Sequence, residues 1–438
     1  MTEKMKPSGI AWIGDIPSEW ESTKIKYCVQ TIGSGTTPDS GNPAYYDDGI
    51  FPWIQSGDLY GRSVIRDTEK RITKSAIVDF PALSWYEKDF VVIAMYGASV
   101  GNVAISKIDS YTNQACCVIK TRKDSDLRYL YYYLSAAQED MLQKAFGGTQ
   151  PNISQVIIKN LSFLNVPTKE QTQIADFLDV QCAKIDSVIA DIEKQIETLQ
   201  KYKKSLITEA VTKGLDRSAP MKDSGIEWIG EIPKHWNINK TRYLASLCSG
   251  ATPSKDVYTY WEGNIPWVSS QEVKSDVITD TSLHISEEAI RSCSTKLMPA
   301  GTLVMVVRSG ILQHTIPVAL LGAPATINQD IKAFVFKPEM LPAYYKYYIQ
   351  GENDALLNVL IKDKTTVESI DNNLLLSLRI MVPPIQEQKN IVSYLDERCC
   401  KIDSILTDKQ AQLDAIVQHK KSLIYEYVTG KKRVTEVN

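Results

Sequence analysis

The sequence predicts an α+β protein built from two copies of one unit, each a globular region followed by a long helix. Three observations carry that expectation. The chain of 438 residues repeats itself at a period of about 216 residues. Its globular stretches carry short apolar and β-branched runs with little strand–helix alternation. Two proline-free stretches, residues 170–214 and 387–431, keep a heptad apolar period.

The repeat is legible word by word. SGIAWIGDIPSEW from Ser8 returns as SGIEWIGEIPKHW from Ser224, and GSGTTP from Gly33 as CSGATP from Cys248. Pro52-Trp53 matches Pro266-Trp267, Asn113-Gln114 matches Asn328-Gln329, and Val166-Pro167 matches Val382-Pro383. The aromatic words YLYYYL from Tyr129 and YYKYYI from Tyr344 also correspond. The expected segments are therefore a globular region at 1–168, a helix at 169–214, a second globular region at 215–384, a second helix at 385–432 and a tail at 433–438.

Within the globular regions, residues 90–95, 115–119, 303–307 and 331–336 read as strands. Gly, Pro and Asn punctuate them at 33–43, 147–152 and 249–254. One amphipathic helix per copy is expected, over 127–145 and 341–357. For the long helices, Pro167-Thr168 and Pro384 mark the starts, and Gly214 and Gly430 the stops behind lysine-bearing last turns. The first apolar seam steps through Ile185, Ile192, Leu199 and Leu206, flanked by Val188, Ile189, Ile196, Tyr202 and Ala210. The second repeats it as Ile402, Ile416 and Leu423, flanked by Ile405, Leu406, Leu413 and Tyr427. Lys409 replaces Ile192, which predicts a solvated or partner-facing interruption. A helix leading from the first globular region to the second, and another leading back, would be antiparallel and pair along these seams as a coiled coil.

Composition narrows the function. Hydrophobic residues make up 43% and charged residues 23%, an ordinary globular balance. No apolar run approaches the ~20 residues of a membrane span, and the N-terminus has no secretory apolar core. The eight cysteines form no CxxC, so reduced thiols and a cytoplasmic location are expected. The formal charge of −3 argues against a nucleic-acid binder acting without partners.

The candidate catalytic words are incomplete. Asn42-Pro43-Ala44-Tyr45 resembles the N-P-P-Y element of amino-methyltransferases, but the second proline is missing and no glycine-rich turn for a methyl donor follows a strand; it reads as a turn. Glu272-Val273-Lys274 is a nuclease-like fragment without an acidic partner, and Gly97–Gly101 is too short for a phosphate loop. His235, His284, His314 and His419 are scattered, with His419 expected to be partly buried in the second seam. The chain is read as non-catalytic, with no metal and no cofactor of its own.

What is left are polar loops in which amides, hydroxyls and aromatics interleave, the chemistry that reads DNA base edges. In the first copy the candidates are Ser34, Thr36, Thr37, Tyr45, Tyr46, Gln55, Ser56, Tyr96, Ser99, Asn113, Gln114, Gly148, Thr149, Gln150 and Asn152. In the second they are Thr252, Ser254, Lys255, Ser269, Ser270, Gln271, Arg308, Ser309, Asn328, Gln329, Lys362, Lys364 and Thr365. Between copies these loops differ while the scaffold words repeat, as two readers of different half-sites would.

Taken together, WIGDIP and WIGEIP, SGTTP and SGATP, the PW and NQ pairs, VPTKEQTQIADFLD and VPPIQEQKNIVSYLD, and the endings KKSLITEAVTKG and KKSLIYEYVTGK resemble the specificity (S) subunit of type I restriction-modification systems. The resemblance covers nearly the whole chain in family order. GGTQPNI and KDKTTVESI depart from the family's glycine-bearing loop. The resemblance implies two target-recognition domains, each reading half of a bipartite site in double-stranded DNA. The helices would set the spacer and dock two methyltransferase (M) subunits that carry S-adenosylmethionine and methylate adenine. Restriction (R) subunits would add ATP- and Mg-dependent translocation and cleavage. Two other readings share features of the pattern: a DNA adenine methyltransferase in its own right, and a coiled-coil assembly protein with no DNA role.

Overall fold

A computed structural model describes residues 4–145, 151–293, 295–361 and 368–434. The chain divides into two compact units, Met1–Ile192 with Ala411–Asn438, and Glu193–Gln410. Each unit thus holds one globular region and a portion of both long helices, Thr168–Lys213 and Ile385–Val428.

In the first unit the centre is a five-stranded sheet in the order Val29–Ser34, Cys116–Thr121, Phe90–Ala94, Val103–Ser106, Val64–Ile65. Neighbours are antiparallel except the last pair. Phe90–Ala94 is apolar throughout because both faces of the sheet are covered. Val91 and Ile93 face a cluster with the helix Leu127–Ala136, while Phe90, Val92 and Ala94 pack with Ile54, Leu59 and Ile65. Each fully buried Val, Leu, Ile or Phe side chain among these contributes about 1.5–3 kcal/mol. A three-stranded sheet, Tyr111–Thr112, Phe51–Ile54 and Arg71–Ile72, lies beside it in the fold.

The second unit builds the same sheets. Its five strands run Ala245–Ser249, Ile331–Phe336, Leu303–Val306, Val318–Leu321, Val277–Ile278, and its three run His284–Ile285, Ile265–Val268, Thr326–Ile327. Leu303 and Met305 face one cluster, Val304 and Val306 the other.

Two expected helices are each split in two. Residues 127–145 form Leu127–Ala136 and Gln138–Gln143, and residues 341–357 form Pro342–Gly351 and Asn353–Leu360. Gly351 marks the second break: a Cβ there would lie 3.1 Å from the Thr208 backbone of the first long helix. Thr208 Oγ1 donates to the Gly351 carbonyl at 2.7 Å. The short hairpin Met5–Pro7 with Asp15–Pro17, and its counterpart Met221–Asp223 with Glu231–Pro233, were not expected from sequence.

The repeated tryptophan words turn out to be helix clamps. In the first unit Trp20 is fully buried and its Nε1 donates to Glu170 Oε2 at 2.9 Å, at the start of the first long helix. Gly430, just past the end of the second, sits so close to the same residues that a Cβ would lie 2.5 Å from Pro17. Its φ of 71° is a second reason for glycine there. The second unit repeats the clamp: Trp236 Nε1 donates to Glu387 Oε1 at 3.0 Å, and Gly214 closes over Trp236. Further along, Lys420 pairs with Asp186 at 2.5 Å in the first unit, and Lys203 with Asp403 at 2.6 Å in the second. In each unit numbering rises on one helix as it falls on the other, so the pairing is antiparallel.

The seam is narrower than the sequence suggests. Ile192 and Ile402 are buried, and Ile185, Ile189, Ile196, Leu199, Leu206, Leu406, Leu413, Ile416 and Leu423 are half-buried. Val188 and Ile405, equivalent positions of the repeat, are each 45% exposed, and Tyr202 is 55% exposed. His419, expected to be partly buried, is exposed. Two helices cover only the strip between them, so residues on its flank reach solvent. Burial is strongest near the helix ends, at Ile174, Leu178, Cys182, Ile391, Leu395 and Cys399, which join the globular cores. Between residues 403 and 423 no side chain is fully buried, and Lys409 lies half-buried in that stretch.

Candidate nucleic-acid interface

Strand register brings the polar loops of each unit to one end of its five-stranded sheet. In the first unit Ser34 pairs with Cys117 and Ala94 with Cys116, so the ends of two strands and the start of a third coincide. Thr112 pairs with Ile54, which adds Asn113-Gln114 and Gln55-Ser56 to the same end. The backbones there are close: a Cβ on Gly35 would lie 1.7 Å from the Thr112 carbonyl, and on Gly250 1.7 Å from that of Ile327. The glycine of SGTTP and SGATP is therefore a packing requirement of the loop.

Side-chain bonds tie the cluster together. The Thr37 hydroxyl donates to Gln114 Oε1, and Thr252 Oγ1 donates to Gln329 Oε1 at 2.5 Å. Gln155, absent from the sequence candidates, donates to Ser34 Oγ at 2.6 Å. Its signal in the sequence is only its position just after the polar 147–152 loop. Tyr96 is half-buried; burial raises its hydroxyl above the usual tyrosine range, and a hydrogen bond with Gln114 counters this. Thr36, Gln55, Ser56, Ser269, Ser270 and Ser309 are half-buried, and Asn152, Ser254, Lys255, Gln271 and Arg308 are exposed. Ser270, Gln271 and Ser309 also line a cavity of about 580 Å³ in the second unit.

Several candidates are engaged elsewhere. Asn113 and Asn328 are buried, and their Oδ1 atoms accept from the backbone N–H two residues on, at 3.0 and 3.1 Å. Ser99 is buried and its hydroxyl donates to the Ser56 carbonyl at 2.5 Å. These three shape the loops, and the glutamine of each NQ word is the exposed member. Tyr45 turns toward the helix Lys74–Asp79: its hydroxyl donates to Asp79 at 3.1 Å and its ring meets Phe80 edge-on at 5.4 Å. Tyr46 packs on Trp53 and donates to the Pro38 carbonyl at 2.6 Å. Gly148, Thr149, Gln150, Lys362, Lys364 and Thr365 lie outside the described residues.

The dismissed catalytic words have structural tasks. Asn42 caps a short turn by accepting from Ala44 N at 3.1 Å. Asp58 is buried and accepts from Gln55 N at 2.8 Å and Glu69 N at 3.1 Å. Glu272, its counterpart, accepts from Ser282 N at 3.2 Å. Among the described residues no group of His, Cys, Asp and Glu is placed to hold a metal ion. Among the same residues no helix is long and apolar enough to cross a membrane. The thiols of Cys116 and Cys117 are raised by burial, that of Cys117 to about 12.

Two copies of one frame, each presenting a different polar loop cluster at the same end of its sheet, define a tandem recognition protein. The family model described as the type I restriction modification DNA specificity domain matches twice, at residues 17–198 and 233–415. The chain therefore belongs to the type I restriction-modification DNA specificity family. Among its relatives is the EcoR124I/EcoR124II specificity subunit of Escherichia coli, 30% identical over 284 residues. That match takes in 62% of this chain and 63% of the relative, just under two thirds of its length. The MjaVIII specificity subunit of Methanocaldococcus jannaschii is 24% identical over 97% of this chain and 95% of its own. A solved chain from work on complex assembly and conformational transition of the type I R-M system shares the fold. Its TM-score is 0.70 at 15% identity, with 95% of this chain and 99% of that one covered.

Proposed function

We propose that this chain is the DNA sequence-recognition subunit of a type I restriction-modification complex, each repeat reading one half of a bipartite site in the major groove. The observation that carries this reading is the pair of loop clusters. They occupy equivalent ends of equivalent sheets, share the threonine–glutamine bond, and differ in the side chains around it. Amides and hydroxyls on short rigid loops match the donor and acceptor pattern of base edges.

The helices act as the spacer. A helix of 46 residues spans about 69 Å, more than the ~34–36 Å between half-sites one turn apart. Val188 and Ile405 leave equivalent apolar side chains exposed on the two helices. Such a pair suits two identical partners, and we assign it to two methyltransferase subunits. Those partners would hold S-adenosylmethionine and methylate adenine, and restriction subunits would bring ATP and Mg. This chain contributes selection and positioning, in the cytoplasm, and partner subunits supply the phosphate contacts that its charge of −3 does not favour.

Exchange of residues 1–168 for the equivalent segment of a relative tests the modular reading. One half of the methylated motif should change, and the other half and the spacer should stay. A change in both halves would refute it.

A further inference from the structure

Position 308 carries the chemistry that most distinguishes the two recognition ends. The central strand Leu303–Val306 stops just before it. Val307 N donates to the Asp330 carbonyl at 2.8 Å, and the Val307 carbonyl accepts from Ile370 N at 2.8 Å. Ser309 N donates to the Glu368 carbonyl at 3.2 Å, and Arg308 itself bridges Ser369. The backbone is thus fixed from both sides, a stiff mount for an exposed side chain.

The first repeat has the same mount. Met95 N donates to the Ala115 carbonyl and the Met95 carbonyl accepts from Ile153 N, both at 2.7 Å. The next residue, Tyr96, is therefore the counterpart of Arg308, although three more residues separate Arg308 from the next strand than separate Tyr96 from its own. Tyr96 folds back on the core and Gln114, whereas Arg308 is exposed.

The Arg308 guanidinium makes no ion pair or hydrogen bond among the described residues. The carboxylates nearby have other donors. Glu368 accepts from Gln313 Nε2 at 2.9 Å, and Asp330 accepts from the Asn328 and Gln329 amides at 3.5 and 3.3 Å. A planar fork of donors with no internal acceptor, on a rigid strand end beside Gln329, fits a planar pair of acceptors. On the major-groove edge of DNA that pair is guanine O6 and N7.

We propose that Arg308 reads one guanine in the half-site met by the second repeat. The inference rests on the recognition reading above and adds a base and a residue to it. The test is the methylated motif produced by the whole complex carrying wild type, Arg308→Gln or Arg308→Lys. The wild-type motif should contain a fixed G·C pair in one half. Arg308→Gln should lose preference at that pair alone, by about tenfold or more, and Arg308→Lys, whose ammonium can still donate to guanine, should lose less, with the other half and the spacer unchanged. A full motif retained by Arg308→Gln at lower occupancy would mean a phosphate contact and overturn the proposal. An unchanged motif with Arg308→Gln, or a wild-type half with no fixed G·C pair, would overturn it too. Absence of any bipartite motif from the wild-type complex would instead sink the recognition reading itself. Equal melting temperatures for the three proteins separate these outcomes from misfolding.

Discussion

The two repeats agree in their frames and diverge at their recognition ends. Trp20 with Glu170 and Trp236 with Glu387 make the same bond at 2.9 and 3.0 Å. Tyr132 with Asp179 and Tyr347 with Asp396 do so at 2.7 and 2.6 Å. Tyr129 and Tyr344 both donate to the carbonyl of a valine near the end of a long helix, Val428 and Val211. At the loops, by contrast, Tyr96 stands where Arg308 does, and Gln155 reaches Ser34 where Lys332 reaches Ser249. A frame that fixes backbone positions this closely carries different side chains at the same place on the sheet end of each repeat.

The clamps are where that comparison breaks most visibly. Trp20→Ala and Trp236→Ala should each destabilise their own unit by about 3–5 kcal/mol, because each removes a fully buried ring together with its hydrogen bond to a half-buried glutamate. Differential denaturant unfolding would check this; a cost in one copy only would end the equivalence of the frames. Gly430→Ala should cost about 1–3 kcal/mol through positive φ and the Pro17 contact. Gly9→Ala, with positive φ and nothing within 4 Å, should cost less, which a melting comparison can resolve. The smallest effect is expected at the helix pairs. Lys203→Ala and Lys420→Ala should each lose no more than about 1 kcal/mol, since both partners reach solvent, and the two losses should match.

Legibility followed the strength of the local pattern. Long heptads and continuous apolar runs announced the helices and the central strands, and the repeat announced the architecture. Strands of three or four residues, such as Glu21–Lys24 paired with Ser162–Asn165, carry no periodic signal, since a distant partner makes them strands. Heptad spacing located the helix pair but not its width, which is why Val188 and Ile405 fall in the seam by spacing and outside it in the fold. For the loops, residue type showed which side chains could meet DNA and not which way they point. Asn113 and Gln114 are adjacent and equally polar, yet one is buried in its turn and the other exposed.

Methylome sequencing of a host that expresses this chain with the methyltransferase partner proposed for it tests the central claim most directly. One bipartite motif is expected, two specified halves around an unspecified spacer, with the spacer lengthened when about four residues are inserted between positions 195 and 203. Methylation at a continuous motif, or a spacer indifferent to the insertion, would contradict it.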